Sequence, residues 1–162
     1  MTVYCQQWLT LRQQGTLNPS PQDTFDSDFL DPITTLQEQQ HRIIVSGDFN
    51  ETFATSNLLQ QLHQQGLHDS ISHQHSHLPQ FRTYNRGTQV LDYVLVSADI
   101  LPLITVSAYK PFQLHTQSDH RGTIIDFHKH LLIGNPQSIQ STIHRGLIST
   151  NPQQTEKYIQ YL

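Results

Sequence analysis

The segment RIIVSGDFNET, residues 42–52, opens with consecutive β-branched apolar residues and closes with polar ones. A short apolar run of this kind is typical of a strand buried in a sheet, so the chain needs other elements to cover it. Its end presents Asp48 and Asn50, whose side chains point to the same side if the backbone stays extended. Strand C-termini are where α/β sheets commonly bind ligands. Gly, Asp and Asn also form ordinary turns, so an Asx turn is the alternative interpretation.

Helical and strand patterns alternate along the rest of the chain. The stretch from residue 67 to residue 89 is polar and is interpreted as a loop with a short extended piece at Phe81–Tyr84. Asn151 followed by Pro152 predicts a terminal helix. Periodicity predicts helices at 2–15, 25–40 and 56–65, and strands at 43–48, 91–97, 103–109 and 123–128. We therefore expect an α/β fold in which these four strands form one mixed sheet, with the second and third helices on one face.

Composition limits the classes of protein. With 162 residues the chain has enough apolar material for one core, and a change in character near His130 divides it into residues 1–130 and a linker with a helical tail, 131–162. A net charge of −4 argues against binding of nucleic acid by bulk positive charge, although a nuclease that grips phosphate through a metal remains compatible. The single Cys5 and the absence of a long apolar run favour a soluble, intracellular protein that does not enter membranes.

Acidic residues and a histidine accompany the predicted strands. Asp92 interrupts an apolar strand, and an isolated buried carboxylate is unfavourable unless it is paired, which makes His120 its natural partner. A carboxylate bonded to one imidazole nitrogen fixes the tautomer, leaving the other nitrogen to face a phosphate or water. Asp48 would then align or deprotonate the water, and Asn50 would donate a hydrogen bond to an anionic oxygen. The hard oxygen ligands of Asp48 and Asp119 favour Mg²⁺, with Mn²⁺ as an alternative.

Three motifs in order, "GDFN", "LDYVLVS" and "SDH", resemble the C-terminal half of the endonuclease/exonuclease/phosphatase (DNase I-like) family, most closely its retroelement and apurinic-type endonucleases. The resemblance covers residues 2–128. It implies that Asp48 and Asn50 act on water and phosphate and that Asp92 orients a catalytic His120. It also implies that Asp119 lies beside the metal and phosphate.

Members of this family begin with another half-domain, which supplies an Asn and the Glu that is the principal metal ligand. The resemblance therefore implies the C-terminal half of a four-layer α/β/β/α sandwich without its N-terminal half. A weak metal site and impaired activity follow from the missing Glu. Apolar residues would then face the space of the absent sheet, and self-association through that exposed face is expected. The candidates for this face are Ile44, Val94, Val96 and Ile125.

The resulting hypothesis is a truncated Mg²⁺-dependent phosphodiesterase from a retroelement-like reading frame, which hydrolyses nucleic acid, DNA in preference to RNA. A phosphatase acting on a small phosphoester and an inactive fragment that only binds nucleic acid or a partner are the alternatives. Arg86 is a candidate for binding a backbone phosphate, with pairing to a surface acid as its other interpretation. His68, His73, His75 and His77 are close enough in sequence to suggest Zn²⁺ or Cu²⁺, but a solvated polar loop is favoured.

Overall fold

The computed structural model describes residues 2–112 and 118–134, together with Gln153 and Glu156. Apart from those two residues, the predicted terminal helix lies outside the described part. The chain divides into two compact units, residues 1–132 and 133–162, and the sandwich-half and tail identities assigned to the two parts of the chain stay predictions. The described part is mixed α/β, and none of its helices is long and apolar enough to cross a membrane.

Three long helices lie where the sequence predicts them. Their bounds are α1 Val3–Gln13, α2 Pro21–Glu38 and α3 Asn57–Gln64. The side chains of Ser20 and Ser56 cap α2 and α3 by accepting a hydrogen bond from a first-turn N–H. α2 runs through Pro32 as one continuous helix. Gly66, with φ of 82°, follows α3 and adopts the left-handed conformation that commonly ends a helix.

Five strands form two antiparallel sheets in the described residues. One sheet has the order β1–β3–β2, and the other pairs β4 with β5. The strands are β1 Ile44–Asp48, β2 Leu67–Asp69, β3 Asp92–Ser97, β4 Ile104–Tyr109 and β5 Thr123–Phe127. The prediction of a single mixed sheet is therefore wrong. The physical reason is that β2, from the stretch interpreted as a loop, hydrogen-bonds the edge of β3 that β4 would otherwise occupy.

The two faces of β3 contact different layers. Tyr93 and Leu95 pack against α2 and α3, so the predicted position of these helices on one face is confirmed. Val94 and Val96 project to the opposite face, where β4 and β5 cover them with Ile104, Ile125 and Phe127. Both valines are buried, so the prediction that this face stays open is wrong for them, although Ile44 is 46% exposed. The strands expected to widen the sheet fold over it instead.

A short helix, α4 Ser70–Gln74, joins the two sheets. Asp69 caps its N-terminus by accepting from the N–H groups of Ile71 and Ser72. At its other end the Gln74 amide accepts from the N–H of Ser107 and donates to Thr105 O, both on β4. These bonds satisfy backbone groups at the edge of a two-stranded sheet that would otherwise be free to pair. The described residues also include a 3₁₀ turn, Leu101–Leu103, and α5, Lys129–Ile133.

Candidate active site

Strand pairing brings two carboxylates together. In the β1–β3 ladder Asp48 is directly opposite Asp92. Directly opposed residues of antiparallel strands project from the same face of the sheet, with Cβ atoms about 5 Å apart. Residues alternate along β3, so this is the face that also carries Val94 and Val96. The two acids therefore lie on the face that packs against the second sheet, at the point where β1 ends and β3 begins.

His120 joins this pair of acids from a distant segment. Its Nδ1 donates to Asp92 Oδ2 at 3.0 Å, so the predicted contact between the two residues is confirmed. Its Nε2 lies 3.8 Å from Asp48 Oδ2. A backbone bridge with Tyr84 fixes the segment, and the Tyr84 and His120 rings are 4.9 Å apart between centroids. The imidazole thus links the two carboxylates, one through each nitrogen.

Thr83 holds both members of the Asp92–His120 pair through hydrogen bonds to backbone N–H groups. Its buried Oγ1 accepts from the backbone N–H groups of Leu91 at 2.8 Å and Asp92 at 3.1 Å. Its carbonyl accepts from the N–H of Arg121 at 2.8 Å, next to His120 in the chain. One buried side chain and one backbone carbonyl therefore set the separation of the acid and the imidazole.

Tyr109 supports Asp92 from the second sheet. Its hydroxyl donates to the carbonyl oxygen of Asp92 at 2.8 Å. Burial raises the pKa of Tyr109 well above its ordinary value, and the charges of Asp69 and Asp92 act in the same direction. The phenol is therefore neutral at physiological pH and remains a hydrogen-bond donor. A Tyr at the end of a β-strand has no sequence signal that distinguishes this role from packing.

The two carboxylates also set the charge of the imidazole. The hydrogen bond to Asp92 raises the pKa of His120 above its ordinary value, and partial burial opposes the rise. The charges of Asp92, Asp48 and Asp119 raise the pKa further. Opposite charges favour the protonated ring, so the site stabilises an imidazolium whose Nε2–H is turned towards Asp48.

The end of β1 forms an Asx turn. Asn50 has a φ of 55°, and its backbone N–H donates to Asp48 Oδ1 at 2.9 Å. The backbone is therefore not extended through Asn50, and the inference that extension aligns the two side chains is wrong. The turn interpretation is confirmed, and it coexists with a role for Asp48, whose Oδ2 faces His120. The side chain of Asn50 is exposed at the rim of the site.

Asp119 and Arg86 pair with each other beside the site. Arg86 Nε lies 3.8 Å from Asp119 Oδ2, and both side chains are largely exposed. In this structure Arg86 therefore pairs with a surface acid, as its alternative interpretation predicted. The backbone carbonyl of Asp119 accepts from the N–H of Asn85 at 2.7 Å, which fixes the chain just before His120.

Asp48, Asp92 and His120 also form a group with the spacing of metal ligands. One ligand atom from each residue lies within 4.8 Å of the other two. Residues 2–112, 118–134, 153 and 156 contain no second group of three such side chains, and Asp119 is outside this one. The two carboxylates suit Mg²⁺ or Mn²⁺, whereas His120 could act as a ligand only in its neutral form.

His63 of α3 and the histidines that follow α3 do not make a comparable group. The rings of His63 and His68 meet edge to face with centroids 5.0 Å apart. Burial, together with the neighbouring His63 and His73, lowers the pKa of His68. His75 is turned away, with its Nε2 2.7 Å from Ser107 O on β4. His68 lies in β2 and His73 in α4, so the interpretation of this stretch as a solvated polar loop is wrong for these two residues. The one three-residue group with metal-ligand spacing in the described chain includes none of these histidines.

Comparisons with known proteins add no name to this site. No protein-family model matches the chain. No curated protein sequence matches it either.

Proposed function

We propose that Asp48, Asp92 and His120 form the active centre of a metal-dependent phosphodiesterase that hydrolyses nucleic acid, with DNA favoured over RNA. The observation that carries this proposal is the Asp92–His120 hydrogen bond of 3.0 Å, with the second imidazole nitrogen turned towards Asp48. A carboxylate that orients an imidazole, beside a second carboxylate that can activate water, is an arrangement suited to hydrolysis.

Each residue has a role that follows from its contacts. Asp92 orients the ring through Nδ1–H and stabilises the imidazolium, and the Nε2–H of this imidazolium donates to a phosphate oxygen and stabilises its developing charge. Asp48 accepts the proton of the attacking water through Oδ2, which has no hydrogen-bond donor in the described residues. As the water oxygen bonds to phosphorus, the P–O bond to the departing sugar oxygen breaks, and that oxygen takes a proton from solvent. Asn50 donates its amide to another phosphate oxygen. Arg86 exchanges Asp119 for the phosphate backbone when substrate binds.

Mg²⁺, or Mn²⁺ in its place, is the proposed cofactor. The partly exposed carboxylate of Asp48 fits such an ion because Oδ1 accepts only the N–H of Asn50, and Oδ2, 3.8 Å from His120 Nε2, accepts no hydrogen bond in the described residues. Asp119, the other proposed ligand, would have to leave Arg86 to take part. When bound, the ion would supply positive charge to the phosphate and lower the pKa of a bound water. With few protein ligands, binding should be weak.

We also propose that the described chain corresponds to the C-terminal half of the α/β/β/α sandwich named above. The order of the three motifs and the position of α2 and α3 on one face of β1–β3 support this. The separate β4–β5 pair departs from the expected single sheet. The retroelement-like origin rests on the segment TYNRGTQVLDYVLVS, residues 83–97, which is similar to the approach to this strand in retroelement-type members of that family.

A nicking assay on supercoiled DNA tests the proposed activity. The full chain should nick slowly with Mg²⁺ or Mn²⁺ and not with chelator, and His120→Ala should lower the rate by ~10²–10⁴. His41→Ala is the matched control, since this exposed histidine precedes β1 and lies outside the site. Its rate should equal that of the unmodified chain.

Two further substrates separate the alternatives. Hydrolysis of p-nitrophenyl phosphate that depends on His120, without nicking of DNA or RNA, would identify a phosphatase for small phosphoesters. Retention of DNA without cleavage of any substrate would identify a binding fragment. Equal rates for His120→Ala and the unmodified chain would show that the cleavage comes from another protein.

A further inference from the structure

A cavity of about 330 Å³ lies between α4, the segment after it and β4. Its volume is at the lower end of the range of sites for small organic ligands, ~300–1,000 Å³. Most of its lining is apolar, and the exposed Leu78 and Phe81 form part of its wall. The apolar side chains are Ile71, Leu78, Pro79, Phe81, Val90 and Ala108. Such a lining suits the flat hydrophobic body of an aromatic ring.

One cationic side chain reaches this apolar cavity. The guanidinium of Arg121 is held by two backbone carbonyls, with Nε donating to Arg82 O at 2.9 Å and Nη1 to Lys110 O at 3.2 Å. It also lies over the ring of Phe112, 4.2 Å from the centroid. A guanidinium carries five N–H donors, and Nη2 has no partner in the described residues. Arg121 is therefore fixed in place with donors to spare.

The charge at this wall is not neutralised. Arg82 lies over the same Phe112 ring at 5.6 Å, and the backbone of Lys110 meets Arg121. None of the ion pairs in residues 2–112 and 118–134 involves Arg82, Lys110 or Arg121. In a chain with a net charge of −4, two guanidiniums that share one aromatic ring and have no carboxylate partner are complementary to an anion.

The cavity is separate from the proposed active centre. None of Asp48, Asp92 and His120 lines it. Arg121 follows His120 directly, yet His120 meets the two acids whereas Arg121 meets the carbonyl of Lys110 and lines the cavity. A ligand in the cavity therefore contacts none of the three proposed catalytic side chains, although Tyr109, which donates to the carbonyl of Asp92, is part of the cavity wall.

We propose that this cavity binds a small planar aromatic anion, with the ring among the apolar side chains and the anionic group on Arg121. A nucleoside monophosphate and a free aromatic carboxylate both have this chemistry. An Arg that binds a phosphate or carboxylate through two N–H groups orients the ligand and adds affinity. A neutral aromatic ring cannot form this pair of hydrogen bonds. The proposal goes beyond the proposed function and does not depend on it.

Isothermal titration of the full chain in chelator tests this, with AMP, adenosine, inorganic phosphate and 2-naphthoate as probes. AMP or 2-naphthoate should bind, and adenosine and phosphate should each bind at least about tenfold more weakly than AMP because each lacks one of the two contacts. If AMP binds and 2-naphthoate does not, nucleotides are the ligand class. If 2-naphthoate binds and AMP does not, aromatic carboxylates are the ligand class. Absence of heat with both anions at millimolar concentration overturns the proposal.

Variants locate the binding. Ala108→Phe should fill the cavity and abolish binding, whereas Ala54→Phe, at an exposed position elsewhere, should leave it unchanged. Phe81→Ala removes a half-exposed side chain at little risk to folding and should weaken binding severalfold. Arg121→Gln should weaken the binding of AMP but not the binding of adenosine. His120→Ala should bind AMP like the unmodified chain. Unchanged affinity in Phe81→Ala and Arg121→Gln together, with native thermal unfolding, would overturn the location.

Discussion

Asp48 and Asp92 face each other across the β1–β3 ladder, and His120 lies between their carboxylates at 3.8 Å and 3.0 Å. Like charges directly opposite each other destabilise a sheet, so the imidazolium is what makes the pair tolerable. Neutral His120 should leave the repulsion uncompensated. The two adjacent carboxylates therefore lower the stability of the fold, and binding of a cation or a proton between them removes their repulsion.

Asp48→Asn should stabilise the fold when His120 is neutral. The amide keeps the Oδ1 acceptor for the Asn50 N–H and removes the repulsion, so we expect a gain of ~0.2–1 kcal/mol. At about pH 5, where an unperturbed histidine is protonated, the gain should disappear because the attraction to the imidazolium is also lost. Urea denaturation at both pH values measures this. Asp126→Asn, on the exposed side of β5, is the control and should show no such pH dependence.

The pKa of His120 should lie above the ordinary histidine value, and Asp92→Asn should lower it. The main cause of the shift is the hydrogen bond to Asp92, and the amide cannot supply its charge. NMR titration of the ring protons in chelator measures both pKa values.

The same shift predicts how stability changes with pH. Because the folded pKa is raised, the contribution of His120 is complete below the unfolded value of about 6.5 and is lost as pH rises through the folded pKa. Removing His120 should therefore destabilise the chain more in acid than in alkali. An equal loss at both ends would contradict the assigned direction of the shift.

The sheet arrangement could be predicted only in part. Long apolar or amphipathic patterns locate α2, α3, β1 and β3 to within a few residues in the described chain. β2 and α4, at Leu67–Gln74, are too short to show a period, so the sequence did not predict them. The predicted sheet therefore lacked β2, the strand that pairs with β3. Asp69 followed by Ser72 was the available signal, since Asp is a strong N-cap.

The residues of the candidate site could be predicted from the sequence, whereas the residues that hold them in place could not. Asp92 within an apolar strand requires a partner, and that requirement pointed to His120. Thr83 and Tyr109 hold the same pair through backbone atoms of Asp92, and neither contact depends on a recognisable pattern of residue types. Contacts to backbone groups depend on how separate segments are brought together by the fold, so one segment read alone does not reveal them.

Thr83→Val should destabilise the fold and loosen the site. Valine has nearly the same shape, but it leaves the N–H groups of Leu91 and Asp92 without their acceptor, at a loss of ~1–3 kcal/mol for each group that stays buried. Thr83→Ser keeps the hydroxyl and should lose only about 1 kcal/mol for the missing methyl. Urea denaturation ranks the two variants, and hydrogen exchange should be faster at Leu91 and Asp92 in the valine variant alone. Equal destabilisation by both would assign the role of Thr83 to packing.

Self-association through the sheet face that carries Ile44 remains a prediction. Within the described residues, only the β1 part of this face is exposed enough to contact a second copy. Val94 and Val96 are covered, whereas Ile44 is 46% exposed, and no strand of the described chain pairs with the outer edge of β1. An exposed edge with an apolar side chain is a template for pairing with a second copy. Ile44→Lys should therefore reduce oligomer in sedimentation velocity, because lysine on an edge strand opposes such pairing.

Val106→Lys is the matched control for this experiment. Val106 is similarly exposed, at 43%, but it lies on β4, where Gln74 already bonds the backbone of its neighbours Thr105 and Ser107. This variant should associate like the unmodified chain. If both lysine variants reduce association equally, a general loss of hydrophobic surface is responsible and the β1 edge is not. A chain that stays monomeric at all concentrations would contradict the prediction, since the unpaired edge would then be too short or too twisted to template a partner.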